Sequence, residues 1–338
     1  MRKGKISDLI GENIFFRELK PLNPDLVPIE VVLYRLNLDR IPRKRDPEYP
    51  HVISCYLNLL GDFDRILFFG DTLLNDKNFA LGLSNLGEYD VVAVITRESG
   101  EKLELRQEGN ILFSNRWSFI RELPEYLAKM DFYIDEKTAV IVDIDKTLIG
   151  ARGRNDCAID LARAHSVYKL LEKAEITMDF HDFFELYERV NSPDLFDLTQ
   201  DNQDIVAFIT IALSSGSVKE IISIEEAAKE LIKTKNPFLS YVGKEVLTNL
   251  ENKSPTLFPT FREMEYFTTI EFMDRFDDRT PIEKLLKEEI LITGEIFDLL
   301  EDSLATVIAI TDKPERSSLP PEGIELPPIH EKLAKIYP

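Results

Sequence analysis

Two aspartates one residue apart, Asp143 and Asp145, directly follow the apolar and β-branched run from Thr138 to Val142. Such a run predicts a buried strand. Open parallel α/β sheets bind their ligands at the carboxyl ends of the strands, so this pair occupies a position suited to catalysis. One carboxylate can act as nucleophile or metal ligand while the other transfers protons, and Thr147 can orient the first. The alternative is an ordinary turn after a strand, where aspartate is common.

A second acidic loop has the same arrangement. The short apolar run from Ile66 to Phe69 is followed by Gly70-Asp71-Thr72-Leu73-Leu74-Asn75-Asp76. Glycine lets the backbone approach a ligand closely, and Asp71 then lies at the same predicted sheet edge with Asp76 one turn further along. Carboxylates from two such loops suit Mg²⁺. A solvated Gly-Asp turn is the alternative for this loop taken singly.

Both acidic loops resemble motifs of the haloacid dehalogenase (HAD) superfamily, whose members are phosphohydrolases with an aspartate nucleophile. The first family motif is an apolar strand followed by Asp-x-Asp-x-Thr, which Asp143, Asp145 and Thr147 match. The fourth motif is similar to the segment from Gly70 to Asp76, with Thr72 where the family has serine. The resemblance implies an α/β fold with a doubly wound, Rossmann-like parallel sheet.

The other two family motifs have candidates elsewhere in the chain. The second motif is an apolar strand that ends in threonine or serine, and the run from Ala305 to Thr311 resembles it. The third is a lysine before a helix, for which Lys44 is the candidate. Pro47 suits the first turn of a helix, and the apolar stretch from Val52 to Leu60 has a helical pattern.

The order of these motifs differs from that of the family, because the third and fourth precede the first and the second lies near the C-terminus. This order predicts a circular permutation. A doubly wound sheet tolerates one, since strand neighbours rather than chain order define the site. We expect strand 66–69 beside strand 139–143, and that strand beside 305–310. Residues 1–150 together with 290–338 would form the α/β core.

Two lysines depart from the family pattern or extend it. Lys146 stands where the family usually has glycine, which places a bulky cation beside the predicted metal site. Lys313 follows Thr311 by two residues, where the family often has arginine or asparagine. Lys313 is therefore a candidate phosphate contact, with a solvated lysine at a helix start as the alternative.

Residues 151–289 have the pattern of an all-helical insert, because apolar residues recur at helical spacing in Ile159–Lys173, Phe180–Val190, Asp204–Leu213 and Ile224–Lys233. An insert directly after the first motif is where many HAD members carry a cap domain, so the resemblance implies a helical cap over the active site. Arg152 and Arg154 lie on the glycine-containing hinge before it. They are candidates for clamping a substrate anion, and solvated hinge charges are the alternative.

Shorter patterns predict the rest of the core. Val31–Tyr34, Val91–Ile95 and Ile111–Phe113 read as strands, and Trp117–Lys129 reads as a helix.

Composition agrees with a cytoplasmic enzyme and excludes some partners. The net charge of −20 argues against a nucleic acid or an anionic membrane, because both require a positive binding surface. Two cysteines, Cys55 and Cys157, form no disulfide framework. No apolar stretch approaches the length of a membrane span, and the basic start lacks the apolar region of a signal peptide.

The resemblance implies Mg²⁺-dependent hydrolysis of a small phosphorylated metabolite. Asp143 would be the nucleophile and Asp145 the general acid and base. The metal would be held by Asp143, the backbone carbonyl of Asp145, Asp71 and, through water, Asp76, and the phosphate by Thr311, Lys44 and Thr147. Two alternatives stay open at this stage: a phosphotransferase or phosphomutase of the same family, and a catalytically inactive binding or scaffold protein.

Overall fold

The computed structural model describes residues 1–173, 177–195, 199, 203–214 and 257–338. The chain divides into two compact units, of which the first combines Met1–Asp160 with Thr269–Pro338 and the second is Leu161–Thr268. The second unit lies inside the segment 151–289 that the sequence predicts as a cap, whereas residues 151–160 and 269–289 belong to the first unit. The role of this segment as a cap stays a prediction.

The first unit is built on a mostly parallel sheet. The strands are β1 (Lys3–Gly4), β2 (Ile14–Phe15), β3 (Arg65–Gly70), β4 (Asp90–Thr96), β5 (Leu105–Glu108), β6 (Ile111–Ser114), β7 (Thr138–Asp143), β8 (Ile292–Thr293), β9 (Thr306–Ile310) and β10 (Ala334–Tyr337). Seven of them form one sheet in the order β2-β9-β7-β3-β4-β6-β5, in which only β5 and β6 are antiparallel. The protein is thus an α/β protein whose sheet is compatible with a Rossmann-like fold.

The central strands β3 and β7 are buried along almost their whole length. Their continuous apolar runs are typical of parallel strands that helices cover on both faces. β7 pairs with β3, with Val142 opposite Phe69, and on its other side with β9, with Asp143 opposite Ile310. The predicted neighbours of the Asp143 strand are therefore confirmed, as are the predicted strands 91–95 and 111–113.

Helices flank this sheet. The described helices are Ser7–Ile10, Ile29–Leu36, Tyr49–Leu60, Asp76–Asn85, Leu123–Lys129, Asp156–Lys173, Phe180–Val190, Gln203–Ser214, Leu257–Phe272, Ile282–Glu288 and Gly294–Leu300. Short 3₁₀ turns occupy Trp117–Arg121, Pro193–Leu195, Glu315–Ser317 and Ile329–Glu331. On one face of the sheet, a continuous apolar core includes Phe68 and Ile141 from the strands, and Val52, Tyr56 and Phe79 from two helices. In the described part of the chain, no helix combines the length and the apolar character needed to cross a membrane.

Three sequence predictions about these elements need correction. Val31–Tyr34 belongs to the helix Ile29–Leu36, because a run of four apolar residues does not separate a strand from a helix. Trp117–Lys129 is a 3₁₀ turn followed by an α-helix that begins at Leu123. The predicted helix 52–60 is confirmed, but it begins at Tyr49 with Pro50 rather than Pro47 in its first turn.

The second unit contains helices around an apolar core of its own. Val167, Phe183, Tyr187 and Phe261 are among the buried residues of that core. The predicted helical segments 159–173, 180–190 and 204–213 all lie in observed helices. The predicted helix 224–233 lies outside the described residues.

A second, three-stranded sheet joins the first and last strands of the chain in the order β1-β10-β8. Lys3 of β1 lies opposite Lys335 of β10, and Ile336 lies opposite Ile292 of β8. Below this sheet, the fully buried Lys335 Nζ pairs with Glu289 Oε1 at 2.6 Å. Lys335 Nζ also donates to the carbonyl of Phe276 at 2.6 Å, and these bonds fix β10 against the segment that leads into β8.

Candidate active site

Asp143 and Asp71 meet because two neighbouring parallel strands carry them to one edge of the sheet. Asp143 is the last residue of β7, and Asp71 directly follows Gly70, the last residue of β3. The pairing of Phe69 with Val142 sets the two strand ends side by side. This is the carboxyl edge, where open parallel sheets bind their ligands.

The loop after β3 folds back tightly on the end of its own strand. A Cβ atom at position 70 would lie 2.6 Å from Cβ and Cγ of Asp76, so only glycine fits there. Asp76 Oδ2 accepts hydrogen bonds from the N–H of Asp71 at 3.1 Å, the N–H of Thr72 at 2.8 Å and the hydroxyl of Thr72 at 2.6 Å. These three donors hold the carboxylate in one orientation.

Asp71, Asp76 and Asp143 form a buried carboxylate cluster. Each contributes one oxygen, and the three oxygens lie within 4.8 Å of one another. Like charges this close and this far from water repel strongly, so an ionised cluster needs positive charge beside it.

Lys44 supplies part of that charge. Its Nζ donates to Asp143 Oδ1 at 2.7 Å and forms an ion pair with Asp76 Oδ1, and its side chain is 4% exposed. Burial alone would lower the pKa of Lys44, but the carboxylates of Asp143 and Asp76 outweigh it and raise that pKa well above the usual value. Lys44 therefore stays cationic, and the structure brings this third-motif candidate into the site.

The three carboxyl groups differ in their affinity for protons. Burial raises the pKa of Asp143 well above its usual value; Lys44 opposes this, while Asp76 and Asp71 add to it. Burial and Asp76 also raise the pKa of Asp71, to about 6. For Asp76, Lys44 and the hydrogen bonds from Thr72 outweigh burial and hold the pKa below its usual value. Asp76 is thus the permanent anion of the cluster.

Arg152 is the second cation of the site. Its Nε forms an ion pair with Asp71 Oδ2. Its N–H donates to the carbonyl of Lys146 at 2.8 Å, and its own carbonyl accepts from Glu98 N–H at 2.8 Å and Trp117 Nε1–H at 3.0 Å. These three bonds fix the backbone, and the ion pair with Asp71 holds the guanidinium beside the carboxylate cluster.

The hydroxyl of Thr147 also reaches Asp71. The sequence predicts that Thr147 orients Asp143, but its Oγ1 donates to Asp71 Oδ1 at 3.4 Å. Asp145 lies between Asp143 and Thr147 in the turn and is half-buried. Its backbone forms a bridge with Ile149.

Thr311 and Lys313 follow β9 at the same edge. The N–H of Ile144 donates to the carbonyl of Ile310 at 3.1 Å, which sets Thr311 next to the Asp143 loop. Both side chains are buried. Thr311 Oγ1 accepts from the N–H of Lys313 at 3.0 Å, and Lys313 Nζ donates to Thr269 Oγ1 at 3.1 Å.

Lys146 and Arg154 form ion pairs with acidic residues outside the carboxylate cluster. Lys146 has a φ of 64°, the left-handed conformation that favours glycine, and its Nζ lies 2.8 Å from Asp160. Arg154 forms two hydrogen bonds with the buried Glu295, at 2.8 and 2.9 Å, and lies over the ring of Tyr337. Of the two predicted hinge arginines, Arg152 therefore contacts the carboxylate cluster and Arg154 pairs with Glu295 instead.

The carboxylate cluster fits a small divalent cation. Its donors are hard oxygen atoms, which Mg²⁺ prefers. Asp76 Oδ1 is buried and its charge faces Lys44 Nζ, with which it forms an ion pair. A buried anionic oxygen of this kind is suited to a metal ligand.

Thr293, which the sequence analysis does not single out, contacts the loop that follows Asp143. Its hydroxyl donates to the carbonyl of Thr147 at 2.5 Å. The signal was present, because Ile290-Leu291-Ile292 followed by Thr293-Gly294 has the same pattern as the strand ends of the other motifs.

The chain matches no known family model, no curated protein and no solved structure. The interpretation of the site rests on its geometry and on the motifs of its loops.

Proposed function

We propose that the protein is a Mg²⁺-dependent phosphohydrolase that cleaves a small phosphate monoester through an aspartyl phosphate on Asp143. The observation that carries this proposal is the convergence of Lys44, the 71–76 loop and Asp143 in one buried cluster at the carboxyl edge of the sheet. These segments are far apart in the chain; the two acidic loops resemble the first and fourth motifs of the HAD superfamily, and Lys44 is the candidate for the third. The proposal includes membership of that superfamily with a permuted motif order.

Asp143 is the nucleophile in this mechanism. One of its carboxylate oxygens attacks phosphorus in line, and the bond from phosphorus to the leaving oxygen breaks. Asp145 donates a proton to that leaving oxygen. Asp145 then takes a proton from the water that attacks the aspartyl phosphate, which breaks the bond between phosphorus and Asp143 and regenerates the enzyme.

The remaining groups of the site balance charge and orient the phosphoryl group. Asp71, Asp76, Asp143 and the backbone carbonyl of Asp145 would hold Mg²⁺. A bound divalent cation favours the ionised form of these acids and neutralises charge on the phosphoryl oxygens. Lys44 and Thr311 bind further phosphoryl oxygens, and Lys44 keeps the neighbouring carboxylates ionised.

The test is release of inorganic phosphate from p-nitrophenyl phosphate, measured with Mg²⁺ and with a chelator. We expect Asp143→Asn to lose at least about a thousandfold in kcat, as removal of a covalent nucleophile does. Asp62→Asn is the matched control, because Asp62 lies before β3 at the opposite edge of the sheet, where it pairs with Lys137. Equal activity of wild type and the Asp143 variant would refute the proposal.

Added acceptor alcohols distinguish hydrolysis from transfer. A hydrolase yields phosphate and aryl alcohol in equal amounts at every alcohol concentration. A phosphotransferase yields less phosphate than aryl alcohol, and the missing phosphate appears on the added alcohol.

A further inference from the structure

The three-stranded sheet contacts the catalytic loop directly. The N–H of Thr293 donates to the carbonyl of Leu148 at 2.8 Å, and the N–H of Gly150 donates to the carbonyl of Leu291 at 2.9 Å. Ile149 and Ile292 form an antiparallel bridge between these bonds. The end of the loop that carries Asp143 and Asp145 is thus a fourth partner of the small sheet.

Thr293 makes the contact nearest to the acids. Its buried hydroxyl donates to the carbonyl of Thr147 at 2.5 Å. The hydroxyl of the same Thr147 donates to Asp71 Oδ1. Thr147 is therefore held at its backbone by Thr293 and touches the carboxylate cluster with its side chain.

The position of Thr293 is itself fixed from two sides. The side-chain amide of Asn155 donates to the carbonyls of Leu286 and Glu289 at 2.7 and 2.9 Å, and its oxygen accepts from the N–H of Leu291 at 2.9 Å. From the other side, β10 pairs with β8, and the buried Lys335 of β10 pairs with Glu289. The segment 286–293 has little freedom to move.

We propose that Thr293 is a positioning residue, which fixes the loop between Asp143 and Thr147 so that Thr147 and Asp71 keep the geometry that catalysis and metal binding require. The catalytic part of this inference rests on the proposed phosphohydrolase function. The metal-binding part does not, because it concerns only the shape of the carboxylate cluster. Replacing a group that hydrogen-bonds to a metal ligand commonly costs about 10- to 100-fold in metal affinity or activity, and Thr293 holds such a group, Thr147.

The test compares Thr293→Val, which removes the hydroxyl and keeps the shape, with Thr293→Ser, which keeps the hydroxyl. Thr138→Val is the matched control. Thr138 is also buried, and its hydroxyl donates to the carbonyl of Tyr133 at 2.7 Å, but it begins β7 at the edge away from the acids. Both valine variants thus lose a buried hydroxyl-to-carbonyl bond, and Thr138→Val also loses longer contacts with Arg65 and Asp135 at the start of β7.

The first readout is Tb³⁺ binding, followed by terbium luminescence excited through Trp117, the one tryptophan of the chain, whose indole contacts Arg152. We expect Thr293→Val to weaken Tb³⁺ binding about tenfold or more, while the Ser variant and the Thr138 variant bind like wild type. Hydrogen exchange of the peptide covering 144–150 is expected to rise in Thr293→Val alone. Thr293→Ala, which removes the hydroxyl without adding bulk, replaces the Val variant if the latter does not melt cooperatively.

The second readout is kinetic. With p-nitrophenyl phosphate, we expect Thr293→Val to lower kcat about ten- to a hundredfold at unchanged KM, with recovery in Thr293→Ser. Wild-type Tb³⁺ affinity and wild-type exchange in Thr293→Val would overturn the positioning role. If the wild type hydrolyses no phosphate ester, the proposed function fails, and the Tb³⁺ and exchange measurements still decide the role of Thr293.

Discussion

Lys44 and Asp143 are 99 residues apart in the chain, and 2.7 Å separates Nζ of the first from Oδ1 of the second in the buried interior of the site. Lys44 also pairs with Asp76, so one cation serves carboxylates from both acidic loops. This arrangement makes the charge balance of the site depend on a residue outside either loop.

Replacing Lys44 with Met is therefore expected to destabilise the protein strongly at neutral pH. Removing one partner of a buried ion pair leaves charge uncompensated and costs about 3–5 kcal/mol. The difference in the free energy of unfolding between wild type and variant should shrink when the pH is lowered, because protonation relieves the repulsion among the acids. It should also shrink when Mg²⁺ is added. Chemical denaturation measures it. Lys77→Met is the control, because Lys77 pairs with Glu108 at the surface, where solvent screens the pair and its loss should change stability little.

The pKa of Asp71, raised to about 6, predicts how pH acts on the metal-free protein. In the unfolded chain this carboxyl has its ordinary pKa of 3.8, so between those values the folded state binds more protons than the unfolded state. The contribution of Asp71 to stability therefore falls as pH rises from about 4 to about 6 and is constant above. Thermal unfolding in a chelator checks this, and Asp71→Asn should remove that part of the slope.

Protons and Mg²⁺ compete for the same carboxylate. We expect Mg²⁺ affinity to fall by about tenfold per pH unit for each proton displaced once the pH drops below 6, the pKa of Asp71. Titration calorimetry in buffers of different ionisation enthalpy counts those protons. Affinity that is unchanged from neutral to acidic pH would show that Asp71 is not a ligand.

Replacing Arg152 is expected to affect KM, whereas replacing Arg154 is expected to affect stability. Arg152→Gln removes a guanidinium held beside Asp71, and we expect it to raise KM for p-nitrophenyl phosphate at least about tenfold, as loss of a charged anion contact does. Arg154→Gln leaves the buried Glu295 unpaired, so it should lower stability by about 3–5 kcal/mol and leave KM unchanged. Steady-state kinetics and denaturation on both variants are the measurement. An unchanged KM in Arg152→Gln would remove this residue from the substrate contacts.

Lys146 offers a test of backbone conformation in the loop that follows Asp143. Its φ of 64° is costly for any residue with a Cβ atom, and its ion pair with Asp160 partly offsets that cost. Lys146→Gly and Lys146→Ala lose the same ion pair, but only the glycine variant relieves the backbone. We expect the glycine variant to be more stable than the alanine variant by about 1 kcal/mol. Equal stabilities would indicate that the loop relaxes to another conformation.

The sequence predicts the centre of this fold well because the signals there are local. The strands before Asp71 and before Asp143 are continuous apolar runs that end in carboxylates, and their adjacency follows from the requirement that the carboxylates meet. The helical pattern that follows Lys44 in the chain identifies this lysine as a candidate. The prediction that Pro47 lies in the first turn of that helix is wrong, because Pro50 occupies it.

The parts that were not predicted depend on contacts without a local pattern. The apolar run from Ile290 to Ile292 indicates a strand that ends at Thr293, but it does not indicate the partner of Thr293, because the bond to Thr147 spans 146 residues. Likewise, nothing near Arg154 in the chain indicates that Glu295 is its partner. The short apolar run Val31–Tyr34 predicts a strand because it contains β-branched residues, but such residues also occur in helices. The helical spacing becomes visible only in the structure, where Ile29 and Val32 are buried and Tyr34 is exposed.

The most direct test of the account is the mass of the peptide that contains Asp143 after the protein, turning over a phosphate ester with Mg²⁺, is quenched rapidly in acid. We predict one phosphoryl group on that peptide, labile to hydroxylamine as an acyl phosphate is, and none in Asp143→Asn. Turnover with no phosphoryl group on this peptide, or with the group on another residue, would contradict the account.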